Sequence, residues 1–218
     1  MESVNRAILN LDWITGVILA SLFFLAIAKR FFYSRFLSFM ILPFNNKYIF
    51  LYNKKDRLFN GFQLFFSLFQ IFNFALFASL GAALLMDEPS YRTPIAFLVV
   101  LLAILIFMIV KALLQIGNGY VFNNSRVISE FIFKKVSYFN YSGLVMVMAN
   151  VVLCYIDPGS KAVVYGAVFL ILLINTVGWI TLIKNHQKLI ASYFFYFILY
   201  LCALEIAPLV LIVNALTF

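Results

Sequence analysis

The chain has 218 residues, of which 65% are hydrophobic and only 11% charged. A water-soluble domain of this size could not bury that much apolar surface, so the composition selects an integral membrane protein. The net charge of +8 does not select a nucleic-acid partner, because the Lys and Arg residues sit between apolar runs, where they serve as an orientation signal.

A hydrocarbon core of roughly 30 Å needs about 20 helical residues, and six apolar runs meet that length. The first spans about 11–28, entered by Asp12 and Trp13 and left through Lys29 and Arg30. Residues 31–59 alternate aromatics with cations and are broken by Pro43, Asn45 and Asn46. They predict short amphipathic helices in the headgroup region, with Arg35, Lys47, Lys54, Lys55 and Arg57 reaching lipid headgroups or a partner. The second span, about 62–86, ends at the turn residues Asp87, Glu88 and Pro89, and the third covers about 95–116. A polar connector over 117–139 carries Lys134 and Lys135, two further candidate headgroup contacts.

The fourth span covers about 136–156 and stops at Asp157-Pro158-Gly159; the fifth runs over about 162–183. The connector KNHQK leads to the sixth, about 192–214, and no soluble domain is expected at either end. The fold class is therefore all-α, a single transmembrane domain of six helices with amphipathic interfacial connectors. Connectors after the first, third and fifth spans hold thirteen Lys and Arg, against three on the other side. This asymmetry predicts that both termini lie outside the cytoplasm. Each basic connector feeds a span opening with aromatics, a pattern that three tandem hairpins or the topology itself would produce.

Five polar side chains fall near mid-bilayer: Gln70, Asn73, Asn150, Asn175 and Glu205. Amides at that depth join helices by hydrogen bonds worth about 0.6–2 kcal/mol each, and packing is their ordinary role. Glu205 is the costlier residue, since an ionisable group at the helix centre carries roughly 2.5–3.5 kcal/mol on insertion scales. Pro208 kinks the helix and frees the carbonyl of Leu204 beside it. The cluster is either a set of structural anchors or a proton, cation or lipid site around Glu205. Lys111, toward the basic face, is expected to snorkel outward and not to pair with it.

No zinc, nucleophile-elbow, phosphate-loop or CxxC motif occurs, and the single histidine, His186, sits in a short basic connector. No catalytic residue, metal site or cofactor is expected. Cys154 and Cys202 fall at different depths, so no disulfide is expected between them.

The run FFYFILYLCALEIAPLVLI, with Tyr200, Leu201, Cys202, Leu204, Glu205 and Pro208, resembles the C-terminal signature of an uncharacterised Bacteroidota inner-membrane family, a domain of unknown function. The opening LDWITGVILASLFFLAIAKRFF is similar to that family's first span, and the centre matches more loosely. The resemblance implies a bacterial inner membrane, which together with the charge count puts both termini in the periplasm. It supplies no activity. The expected function is a non-enzymatic membrane subunit or assembly factor of a cell-envelope complex, in contact with the bilayer, other membrane subunits and anionic lipid. The alternative is a small transporter or lipid-handling protein using the polar cluster around Glu205.

Overall fold

The computed structural model describes residues 12–43, 48, 49, 52, 60–121 and 125–185. Six helices are named in chain order: α1 (Asp12–Phe31), α2 (Tyr33–Met40), α3 (Gly61–Leu85), α4 (Pro94–Val121), α5 (Ser125–Val151) and α6 (Lys161–Asn185). A single 3-10 turn, Pro89–Arg92, joins α3 to α4, and a π-helical turn, Val152–Ile156, ends α5. The described residues contain no strand, and five of these helices are long and apolar enough to cross a membrane. The expected sixth span over 192–214, with Glu205, Pro208 and Cys202, lies outside the described residues. So do His186 and the candidate headgroup contacts Lys47, Lys54, Lys55 and Arg57.

Helix boundaries differ from the expected span boundaries where polar residues are dense. The segment over 117–139 reads as a polar connector, yet α4 runs on to Val121 and α5 begins at Ser125. Polarity marks where a chain leaves hydrocarbon, whereas a helix ends only where its backbone bonding stops. The sequence RVISEFIFKK contains no Gly or Pro, and Glu130 stands four residues before Lys134, a spacing that favours the helix. Residues 33–40 do form a short helix within the basic connector. It is separated from α1 by Phe32, which leaves helical geometry at φ −130°, ψ 47°.

Side-chain pairs fix the directions of the helices. Phe24 meets Phe72, and Phe32 meets Phe62, so α1 and α3 are antiparallel. Ser67 bonds Asn140, and Asn150 reaches the backbone of Asn73, so α3 and α5 are parallel. Asn175 meets Ser142, and Trp179 lies beside Lys135, so α6 returns antiparallel to α5. The two turns that follow α3 and α5 therefore share one end of the bundle. Lys161 is paired there with Asp87 at 3.1 Å, and Arg92 donates to the Pro158 carbonyl at 3.2 Å. Asp87 closes α3 at φ 54°, a left-handed position that Asp tolerates better than most side chains. Thr15, near the start of α1, shares a 2.7 Å hydrogen bond with the Tyr155 hydroxyl at this same end.

The opposite end is basic and aromatic. Phe39, Tyr48, Phe62, Phe66, Phe69 and Phe133 form one buried cluster. Its rings meet at centroid separations such as 4.4 Å for Phe39–Phe66 and 5.9 Å for the stacked pair Tyr48–Phe133. Offset and edge contacts of this kind suit the ring quadrupole. Toward the other end the core turns aliphatic, with Ile14, Ile18, Leu76, Leu80 and Leu101 around α3. α3 is the central helix: 61% of its most apolar stretch is buried, against 11% for α4.

Candidate functional site

The polar residues of α3 and α5 form a seam where the two helices run side by side. At its basic end Asn140 donates to Ser67 Oγ at 3.0 Å, and the Ser67 hydroxyl returns a bond to Asn140 Oδ1 at 3.3 Å. One turn on, Gly143 of α5 faces Gln70 of α3. A Cβ at position 143 would overlap Gln70 Oε1 and stand 3.2 Å from the Phe69 ring. Glycine is what allows the helices to approach this closely. Beyond Gly143, Asn150 donates to the Asn73 carbonyl at 3.1 Å, while Asn73 donates to its own helix at the Phe69 carbonyl, 2.8 Å away. From Asn140 to Asn150 the seam is about 15 Å long at the helical rise of 1.5 Å per residue.

α6 joins the seam from the α5 side. Asn175 Nδ2 donates to Ser142 Oγ at 2.9 Å and to the Ile171 carbonyl at 2.8 Å. Of the five polar residues expected at mid-depth, Asn73 and Asn150 are in direct contact. Gln70 stands three residues from Asn73 on the same helix, and Asn175 connects through Ser142. Glu205 lies outside the described residues. Ser67, Asn140, Ser142 and Gly143 complete the seam, although a search confined to mid-depth amides passes over them. For Ser67, Asn140 and Gly143 the signal is periodic: 67, 70 and 73 on α3, and 140, 143, 147 and 150 on α5, each follow one helical stripe.

Three of the buried amides keep unused bonding capacity. Gln70, fully buried, has no partner for either amide atom, and the Oδ1 atoms of Asn73 and Asn150 also accept nothing. A buried polar group without a partner costs about 1–3 kcal/mol, and Gln70, with neither amide atom paired, carries the largest such cost in the seam.

The candidate headgroup residues divide. Arg35 lies 4.8 Å from the Tyr52 ring centroid and 5.9 Å from that of Phe32, spread along the aromatic end. Lys134 is only 1% exposed within the bundle, on a helix that begins eleven residues before the expected fourth span. That extension adds turns of helix whose inner face must pack. Lys135 extends over Trp179 at 5.7 Å, and Lys111 over Phe107 at 5.6 Å. Cys154 is a buried free thiol. Among the described residues, no three His, Cys, Asp or Glu side chains gather at a metal-binding distance.

Five membrane-length apolar helices, two of them joined side by side through a polar seam, and an exposed aliphatic exterior have the character of a helical membrane protein. The family model described as domain of unknown function (DUF4271) matches residues 14–216, and the chain belongs to that family. No curated protein and no solved structure matches it.

Proposed function

We propose that the protein is a non-enzymatic subunit or assembly factor of a cell-envelope complex, built of six spans in a bacterial inner membrane with both termini in the periplasm. One observation carries this reading: polar side chains at membrane depth bond across helices at three points along the bundle. Ser67 with Asn140, Asn73 with Asn150, and Ser142 with Asn175 each bridge two elements of the bundle. A scaffold needs such bonds, whereas a conduit needs polar groups turned toward a passage. The sixth span rests on the apolar run over 192–214, and the inner membrane of Bacteroidota on the resemblance of the C-terminal motif. The orientation rests on the Lys/Arg excess of the first, third and fifth connectors. The gathering of Lys29, Arg30, Arg35, Lys111, Lys134 and Lys135 toward one end of the bundle supports it.

Purification of the tagged native protein in mild detergent, with mass spectrometry of what accompanies it, tests the proposal. A stoichiometric membrane-protein partner and an active Glu205→Gln variant are expected. Isolation as a lone protein, together with a Glu205→Gln variant that loses its cellular role, would overturn it.

The second reading is a small transporter or lipid-handling protein using the cluster around Glu205. The unsatisfied amide of Gln70 and the free Oδ1 atoms of Asn73 and Asn150 favour it, because unmet bonding capacity at mid-depth is what a transiently bound polar group would use. This reading predicts that a cysteine at position 70 is modified by water-soluble thiol reagents in intact membranes. Protection of that cysteine in every condition would remove it.

A further inference from the structure

We propose that α2 lies in the plane of the membrane at the basic end of the bundle, with one face in the phospholipid interface and another in water, and so marks where the hydrocarbon stops. An amphipathic segment is expected of this connector; the contacts and faces of α2 give it a direction and a depth. Phe32 and Phe36 meet Phe62 and Phe66 of α3. Phe39, two turns after Phe32, meets the same two rings at 5.6 and 4.4 Å. A helix running along α3 would have moved about 10 Å in those seven residues. α2 instead crosses α3 at a nearly constant level toward α5, where Tyr141 donates to the Met40 carbonyl at 3.3 Å.

Three stripes run along this crossing helix. Phe32, Phe36 and Phe39 form the side against the bundle. Tyr33, Leu37 and Met40 form a second stripe and are 59%, 47% and 39% exposed. Ser34 and Ser38 form the third, where the Ser38 hydroxyl donates to the Ser34 carbonyl at 3.0 Å. At 3.6 residues per turn the stripes are centred roughly 100–150° apart. A span surrounded by lipid has no use for a polar side. A helix lying in the interface has a core side, a lipid side and a water side, which is the arrangement of α2. Its apolar stripe follows, along the chain, the lipid-facing surface of α1, where Leu19, Leu22, Phe23 and Phe31 are exposed.

The depth agrees. From the level of Phe62 and Phe66 to Leu85, α3 has about 20 residues, or roughly 30 Å, the thickness of a hydrocarbon core. The bond between Ser67 and Asn140 puts Tyr138 of α5 near the same level. Because α5 begins at Ser125, about a dozen of its residues, close to 20 Å of helix, extend past the boundary on the water side. Phe133, in that stretch, is covered by Tyr48 of the connector, stacked on it at 5.9 Å. α4 keeps pace, continuing to Val121 beyond its apolar stretch, which ends at Leu113. The hairpin of α4 and α5 therefore stands out from the membrane at the level that α2 marks.

The full-length protein carrying Cys154→Ser and Cys202→Ser is spin-labelled at single introduced cysteines and reconstituted in vesicles of phosphatidylcholine and phosphatidylglycerol. Collision with oxygen, which concentrates in lipid, is compared with collision with a water-soluble nickel chelate. Labels at Tyr33→Cys, Leu37→Cys and Met40→Cys are expected to favour oxygen, and labels at Ser34→Cys and Ser38→Cys to favour nickel. A label at Ser125→Cys, at the start of α5, is expected to favour nickel as well. Five α2 labels that all favour the same reagent overturn the in-plane helix. Labels at 33, 37 and 40 shielded from both reagents overturn the lipid assignment, because a protein surface would then cover that face. A label at 125 that favours oxygen overturns the boundary. The unaltered protein supplies a check that no substitution can disturb. A phospholipid with a photoreactive diazirine near its headgroup should attach to Tyr33, Leu37 or Met40, and absence of label within residues 33–40 overturns the proposal.

Discussion

α3 and α4 are neighbouring membrane-length helices of different polarity and opposite environments. α3 carries Ser67, Gln70, Asn73 and Ser79 among its phenylalanines and is enclosed by α1, α4, α5 and α6. α4 is apolar through its first seventeen residues, and Ile95, Leu98, Val99, Leu102, Ile106 and Ile109 all face outward. The more hydrophobic helix is the less buried one. In water the order would be reversed, because burial there removes apolar surface from solvent. In a bilayer, lipid tails solvate α4 as well as a protein interior would, so helices associate through close packing and interhelical hydrogen bonds. α3 is central because it is the helix with such groups to offer.

The largest test of this contrast is at Gly143. Gly143→Leu puts a side chain where Gln70 Oε1 and the Phe69 ring already sit, so α3 and α5 must separate. Overpacking alone costs about 1–3 kcal/mol, and the neighbouring bond between Ser67 and Asn140 is lost with it. Unfolding by SDS titration in mixed micelles should show a loss at or above the top of that range. A variant as stable as the parent would mean that the seam is not a packed interface.

Gln70 gives the next largest effect, with the opposite sign. Gln70→Leu removes two buried polar atoms that have no partner and keeps nearly the same volume, so the bundle should gain about 1–3 kcal/mol. The same substitution separates the two functional readings. A scaffold keeps its partner and gains stability, whereas a transporter gains stability and loses its activity.

Asn150→Leu should cost about 0.6–2 kcal/mol in the same titration, because it removes the donor to the Asn73 carbonyl. The loss is moderated by Asn150 Oδ1, which accepts no bond and whose removal is favourable. A double substitution with Gln70→Leu should be close to additive if the two amides act separately, and clearly non-additive if one water or ion bridges them.

The contrast between α3 and α4 was only partly legible in the sequence. Span count over the described residues follows from run length, because about 20 apolar residues leave the chain little alternative to crossing. That Asn73 and Asn150 share a depth follows from their places in the spans, whereas their pairing depends on which faces meet. Neither the parallel register of α3 and α5 nor the role of Gly143 is encoded by depth; both depend on which faces meet. Lys134 illustrates the limit from the other side. Its sequence neighbours read as a polar connector, and only the continuation of α5 back to Ser125 turns it inward. Local composition reports the solvent a residue prefers, while the helix it belongs to decides the side on which it is carried.

The smallest expected effect completes the comparison from the α4 side. Ile106 is 62% exposed at the middle of the outward face, so Ile106→Ala removes contacts with lipid and hardly any with protein. Lipid fills the vacated volume in the folded and unfolded bundle alike, and the change in stability should stay within about 0.5 kcal/mol, as for other surface positions. The measurement should be made twice, once on the purified bundle and once on the protein in its native membrane. Near-zero loss in both settings assigns this face to lipid. Near-zero loss in the purified bundle with a clear loss in the native membrane would instead show that a subunit covers α4 there. The residue with the least effect on the isolated fold would then report most directly on the complex.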